Sequence, residues 1–215
     1  MTRYNIGFLF LGAGSSSRMR GDDKLIKKIN GVPQIERILI EALKLKIPIF
    51  VTIPATNIER KLIISKTNAI VIEVQDPKLG MGHSIAEGII KITKTYDFLS
   101  LGICPSDLPD LKFSSFKKLT DYFAKTPDMI CRPIKRGSTS FGHPVIFPKK
   151  YFKELKLLEG DRGGQNIIQS MEENLNAYET DDESYFSDLD TSEDFAKWYK
   201  RNRQQIKTKI KKSRG

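Results

Sequence analysis

Six consecutive residues near the start, Ile6-Gly7-Phe8-Leu9-Phe10-Leu11, are apolar without alternation and run straight into Gly12-Ala13-Gly14. A strand with one wet face alternates polar and apolar side chains; this one does not, so both of its faces must be covered. Covering both faces requires helices on either side of a sheet, and therefore a chain in which strands and helices take turns. The rest of the sequence has that order. Pro33 suits the first turn of a helix in which Ile35, Ile38, Leu39, Ala42 and Leu43 recur at helical spacing. Strands are expected at Ile49–Ile53 and Ala69–Val74 around a helix from about Ile58 to Ser65, then a helix through Ile85, Ile89 and Ile92 and a strand at Phe98–Ile103. Ser114 or Ser115 is a candidate cap for the helix that follows. Met129–Arg132 and Pro144–Phe147 read as strands around the polar loop Arg136–Ser140; helical patterns at about 149–157 and 164–172, a short strand near Ala177 and a last helix from Thr191 come after. The expectation is one α/β domain over residues 1–196, a mostly parallel sheet flanked by helices, with 197–215 as a basic helix end or tail. In such sheets ligands bind at the carboxyl ends of strands, near the point where strand order reverses.

The 215 residues carry 36 basic and 26 acidic side chains, a formal charge of +10 that suggests an anionic partner. Its distribution narrows the partner. Residues 1–171 carry 27 basic and 16 acidic side chains, 172–196 carry 10 acidic and no basic, and 197–215 carry 9 basic and no acidic. Without the tail the field is nearly neutral, which favours a local phosphate site over a polyanion. No apolar stretch reaches the roughly 18 to 20 residues of a membrane span, and the N-terminus lacks the apolar region and cleavage site of a secretory signal. Cys104 and Cys131 sit in apolar runs, as buried thiols of a cytoplasmic protein do, and two Cys with two His do not make a structural zinc site.

Five groups of residues carry chemistry. In Leu11-Gly12-Ala13-Gly14-Ser15-Ser16-Ser17-Arg18 through Lys24, glycines after a buried strand let backbone N–H groups approach a phosphate, and Arg18 and Lys24 supply charge. The loop is neither a dinucleotide fingerprint, since Ser17 takes the third glycine position, nor a P-loop; taken alone it is also compatible with a solvated turn. Asp107, with Pro109, follows a strand, where a carboxylate can hold Mg²⁺ together with substrate phosphates; Asp-x-Pro in isolation is more often a plain turn. Thr191 and Asp194 have capping-box spacing, whereas Asp188 and Asp190 lie outside it and, in an extended segment, project to one side, where one could complete a metal site with Asp107 or both could be surface acids. Gly80-Met81-Gly82-His83-Ser84 feeds a helix whose N-terminus suits an anion or the polar edge of a base, or is a plain helix entry. Gly142-His143-Pro144-Val145 and Gly160-Asp161-Arg162-Gly163-Gly164 offer a histidine, a tight glycine pair and a phosphate-pairing arginine; two histidines make no persuasive hydrolytic triad.

In this order the five groups resemble the molybdopterin nucleotidyltransferases, most closely the molybdenum cofactor cytidylyltransferase branch, over about residues 6–196. The resemblance implies a single-domain, Rossmann-like nucleotidyltransferase fold and Mg²⁺-dependent transfer of CMP from CTP to the terminal phosphate of molybdopterin or its molybdenum-loaded form, with release of pyrophosphate. On that reading Leu11, Gly12, Ala13, Gly14 and Arg18 hold the triphosphate, Lys24 meets the α-phosphate, and Gly80, Gly82 and Ser84 lie near base and ribose. Asp107 holds Mg²⁺ with Asp188 or Asp190, and His143 and Asp161 face the acceptor. Ala13 is the residue that tends to mark cytidylyl rather than guanylyl members; Gly12, Arg20 and Ser106 depart from the family pattern. The implied partners are CTP or another NTP, the molybdopterin acceptor and a molybdoenzyme or chaperone that receives the product. The rivals are the same chemistry with GTP or with a sugar or polyol phosphate, and, more remotely, nucleic-acid binding by the basic tail.

Overall fold

The computed structural model describes residues 5–14, 23–161, 167, 175–191 and 193–202. Its elements follow one another as β1 (Ile6–Leu11), a short hairpin of β2 (Lys28–Ile29) and β3 (Val32–Pro33), α1 (Gln34–Leu43), β4 (Ile49–Pro54), α2 (Ile58–Ile64), β5 (Ile70–Val74), α3 (Met81–Thr95), β6 (Ser100–Pro105), α4 (Phe113–Phe123), β7 (Ile130–Lys135), β8 (Val145–Pro148), α5 (Phe152–Leu155) and β9 (Leu175–Thr180), with helix α6 at 193–202. Seven strands form one sheet in the order β5-β4-β1-β6-β8-β7-β9. Only β8 runs against its neighbours; the other pairings are parallel.

The unbroken apolar run of β1 is explained by its place between β4 and β6. Phe8 and Phe10 point into a core layer built with Ile35, Ile38 and Leu39 of α1 and Phe116 of α4, while Leu9 points into the opposite layer with Ile85, Ile89 and Ile92 of α3. Phe116 meets both phenylalanines edge-on, at centroid distances of 5.8 and 5.9 Å. Ile35, Ile38 and Leu39 are fully buried, worth about 1.5–3 kcal/mol each relative to exposure. The helical spacing after Pro33 therefore reports a real core face.

Three local expectations come out differently. The stretch between β1 and α1 holds the β2–β3 hairpin, turning at Asn30 and Gly31, both with positive φ (51° and 85°). Neither Ser114 nor Ser115 caps α4: Lys112 holds the cap position, the Phe113 N–H donates to Glu41 of α1, and Ser115 is buried with its hydroxyl on Asp182. The helix expected at 149–157 is short, a single 3-10 turn followed by α5, and the one expected at 164–172 lies almost wholly outside the described residues.

The segment from Asp188 onward folds back across the carboxyl edge of the sheet. Thr191 and Asp194 form the expected capping box, with the Asp194 N–H donating to Thr191 Oγ1 at 3.2 Å and the Thr191 N–H to Asp194 Oδ2 at 2.9 Å. The helix so started carries past residue 196. Phe195 and Trp198 are buried with Ile29 and Leu189, and the Trp198 indole donates to Asp110 at 2.9 Å. The body of the fold thus reaches at least residue 202. Among the described residues no helix is long and apolar enough to cross a membrane.

Candidate active site

Strand order reverses between β1 and β6: from β1 the chain goes on to β4 and β5 on one side and to β6 on the other. Leu11 is paired with Pro105, so Gly12–Gly14 and Ser106–Asp107 leave the sheet side by side, at the point where this class of fold binds ligands. A cleft of about 480 Å³ opens there, lined by Gly14, Lys24 and Asp107 at one end and by Phe141, His143 and Phe186 at another. The two loop glycines differ in what they are for. A Cβ at Gly12 would lie 2.8 Å from the Thr52 carbonyl oxygen, so this glycine lets the loop pack on β4. A Cβ at Gly14, which lines the cleft, would meet nothing within 4 Å among the described residues.

Lys24 bridges two carboxylates that are far apart in sequence, with Nζ 2.6 Å from Asp107 Oδ2 and 2.5 Å from Asp190 Oδ1. Burial alone would depress the Lys24 ammonium, but Asp107 and Asp190 outweigh it and hold it above the ordinary lysine value. Asp188 is pushed the other way for a carboxyl: burial first, then the charges of Asp107 and Asp190, raise it. Alternation brings both acids to the cleft, because the intervening Leu189 turns into the core and its N–H donates to the Asp107 carbonyl oxygen at 3.0 Å. The Asp107 Oδ1 atom is buried and has no hydrogen-bond partner among the described residues. An acceptor-only oxygen left so suits a cation, and Mg²⁺ typically takes one or two protein carboxylates and completes its shell with phosphate and water. Among the described residues no three acidic, histidine or cysteine side chains form a ready-made metal cage.

The first group is fastened from behind. Arg60 of α2 has only 2% of its side chain exposed; it forks onto Asp23 with two bonds of 2.7 Å and donates to the carbonyl oxygens of Gly12 and, at 3.0 Å, Gly14. Burial would raise the Asp23 carboxyl, but Arg60 more than offsets it and holds Asp23 below the usual range. Arg37 of α1 likewise holds the Pro109 carbonyl oxygen at 3.0 Å, steadying the Asp107 turn. The sequence resemblance includes Glu36-Arg37, without a role for the arginine, whereas Arg60 was not singled out. Arg60 had a signal: it stands four residues before Ile64 on the buried stripe of a short helix, where a cation needs partners.

The remaining expected residues divide. Arg18 lies outside the described residues. Gly80 and Gly82 close onto the Glu159–Asp161 turn: the Gly82 N–H donates to the Gly160 carbonyl oxygen at 2.7 Å, and a Cβ on Gly80 would stand 2.4 Å from the Gly160 carbonyl carbon. The two glycine motifs thus dock on each other, and Ser84 is buried with its hydroxyl turned back to the Gly80 carbonyl oxygen. Asp161 sits by Gly80 and is not among the described residues lining the cleft. His143 does line it; burial, then the charge of Arg132, push its imidazole down to about 4, and its Nδ1 has no partner among the described residues. Arg132 lies over the Phe141 ring at 4.3 Å, its Nε likewise without a partner among the described residues, and burial lowers it to about 10. Arg132 and Phe141 are further residues that spacing did not reveal.

A model of the MobA-like NTP transferase domain matches residues 8–175. The chain belongs to this family. As an NTP transferase it is a nucleotidyltransferase that binds nucleotide. Rv0371c from Mycobacterium tuberculosis H37Rv superposes with a TM-score of 0.75 at 21% identity, covering 92% of this chain and 98% of that one. CMP:2-keto-3-deoxy-manno-octonic acid synthetase in complex with CTP gives 0.72 at 11% identity, with 93% and 99% covered. The molybdopterin-guanine dinucleotide biosynthesis protein A of Archaeoglobus fulgidus gives 0.64 at 17%, with 89% and 95% covered. All three share the mostly parallel sheet flanked by helices, which is the Rossmann-like nucleotidyltransferase fold expected from the sequence. The sequence matches none of the curated proteins.

Proposed function

We propose that this NTP transferase moves CMP from CTP to the terminal phosphate of molybdopterin, or its molybdenum-loaded form, and releases pyrophosphate. The observation that carries the chemistry is the Lys24 bridge between Asp107 and Asp190 beside Gly14. An acceptor phosphate oxygen forms a bond to the α-phosphorus of the nucleotide as the bond from that phosphorus to the bridging oxygen breaks; the electron pair leaves with pyrophosphate. Such a transfer asks of the protein mainly alignment and neutralisation of accumulating charge. Gly12, Ala13, Gly14 and Arg18 hold the triphosphate, and Lys24 meets the α-phosphate. Gly80, Gly82 and Ser84 fix the wall on the side of the base and ribose. Asp107, with Asp188 or Asp190, would hold Mg²⁺, which when bound supplies Lewis-acid neutralisation of the phosphates. The manganese complex of Rv0371C agrees with a divalent ion in this fold. His143, neutral at physiological pH, faces the acceptor, while Asp161, beside Gly80, stands toward the base and ribose. The reaction belongs to the cytoplasm, with a molybdoenzyme or its chaperone as recipient.

Ala13 supports this choice of base, and the likeness to the molybdopterin-guanine protein supports the choice of acceptor; likeness to the octonic acid synthetase bound to CTP favours a second reading, cytidylyl transfer to a sugar or polyol acceptor. A panel of the four NTPs with Mg²⁺ and either molybdopterin or sugar phosphates separates them. Pyrophosphate release with CTP and molybdopterin is expected, and it should vanish in a folded Asp107→Asn variant. Release only with GTP, or only with a sugar phosphate, overturns the proposal, and a fully active Asp107→Asn variant removes Asp107 from it.

A further inference from the structure

Arg60 stands outside every motif, yet it is the most enclosed charged side chain at the site. Its guanidinium forks onto Asp23 and takes the carbonyl oxygens of Gly12 and Gly14, so one side chain from α2 holds the chain where it leaves β1 and again at Asp23, one residue before Lys24. Asn57, at the cap of the same helix, adds a 3.3 Å bond to Asp23, and Asp23 in turn accepts from the Leu25 N–H at 3.0 Å. A buried ion pair is weak evidence for stability, because a well-packed apolar residue at the same place serves the core as well or better. What the fork supplies and an apolar residue cannot is direction. A trans peptide is planar, with its C=O and N–H opposed. When Arg60 draws the Gly12 carbonyl toward α2, the Ala13 N–H faces the other way.

We propose that Arg60 is a positioning residue for the nucleotide's phosphates: by holding the Gly12 and Gly14 carbonyls and Asp23, it turns the Ala13 amide away from α2 and sets Lys24 beside Asp107 and Asp190. The inference rests on the nucleotide-binding role of this loop. It predicts an effect that grows with the number of phosphates on the ligand and is not shared by the rest of the nucleotide.

The test compares wild type with Arg60→Met and Arg60→Lys, each checked for folding by circular dichroism. Calorimetry with Mg²⁺ then measures the affinity of whichever NTP binds wild type and of the matching nucleoside monophosphate. Arg60→Met should weaken the triphosphate on the order of ten- to a hundredfold, as misplaced contacts do, and the monophosphate much less. Arg60→Lys keeps the charge but loses the fork, so it should fall between. Unchanged triphosphate affinity in a folded variant overturns the proposal, as does an equal loss for both ligands, which would mark a merely structural arginine. If the Met variant does not fold, the Lys variant decides by the same ratio. A wild type that binds none of the four NTPs overturns the nucleotide reading, and this inference with it.

Discussion

At Lys24 one ammonium reaches both Asp107 and Asp190, with Asp188 close enough for its carboxyl to be raised by both. Lys24→Ala takes that ammonium from between the two carboxylates and from the place proposed for the α-phosphate. Transfer should fall on the order of a hundred- to a thousandfold, read as pyrophosphate release at saturating NTP. A rate near wild type would mean that Lys24 is only a structural counter-ion. His143 makes a prediction in pH. Its imidazole is held at about 4, below the ordinary histidine value, so between about pH 4 and 6.5 the unfolded chain binds a proton that the folded chain refuses. Stability should therefore decline as pH falls through that window, by up to about 3 kcal/mol from this group. Urea unfolding of wild type and His143→Gln at pH 4.5 and 6.5 measures it: the variant should lose less on acidification, and equal losses would show that His143 is solvated.

Elements meet at the site through backbone, and this is where single methyl groups matter. The start of α3 lies against the Glu159–Asp161 turn, and at Gly80, where φ is +99°, a Cβ would approach Gly160 backbone atoms to 2.4 and 2.5 Å. Gly80→Ala should cost about 2 kcal/mol or more, since backbone cannot move aside as a side-chain end can. Gly31, at φ +85° with nothing near, gives the comparison: Gly31→Ala should cost only the strain of a left-handed residue, about 1 kcal/mol. Urea midpoints rank the two, and the reverse order would mean that the docking of the glycine motifs is loose. The same two places show what a sequence discloses at this scale. The long strands and α1, α3 and α4 were legible because burial on one or both faces repeats over enough residues to leave a period. The β2–β3 hairpin was missed because two residues per strand have no period; its one signal was the Asn30-Gly31 dipeptide, whose positive φ values a tight hairpin turn requires. Asp188 and Asp190 were legible as a pair because Leu189 must turn inward. Arg60 and Arg132 were not, since their partners come from other elements. The reversed direction of β8 depends on pairings with β6 and β7 that no local pattern encodes.

For the whole molecule, the charge that first suggests a polyanion and the helix that closes the fold belong to one stretch of chain, and the structure divides it at a different place from the composition. Composition changes sign at 196, but α6 runs from 193 to 202, with Phe195 and Trp198 buried against Ile29 and Leu189 and with the Trp198 indole and Arg201 both on Asp110. Leu189 separates the two acids of the site, and Ile29 belongs to the hairpin that follows Lys24, so α6 covers the back of the constellation proposed to bind the phosphates. Residues 203–215 carry six basic and no acidic side chains. A chain ending at 202 keeps every contact described for α6 and serves as the reference. A chain ending at 196 loses Trp198, a loss of about 3–5 kcal/mol by analogy with truncating a buried tryptophan. It should also lose activity before it unfolds, because Asp188, Asp190 and Lys24 stand on what α6 holds down. Differential scanning calorimetry with transfer assays on the two truncations decides the matter. If the chain ending at 196 matches the full chain in both, α6 is an appendage and the active site is complete without it.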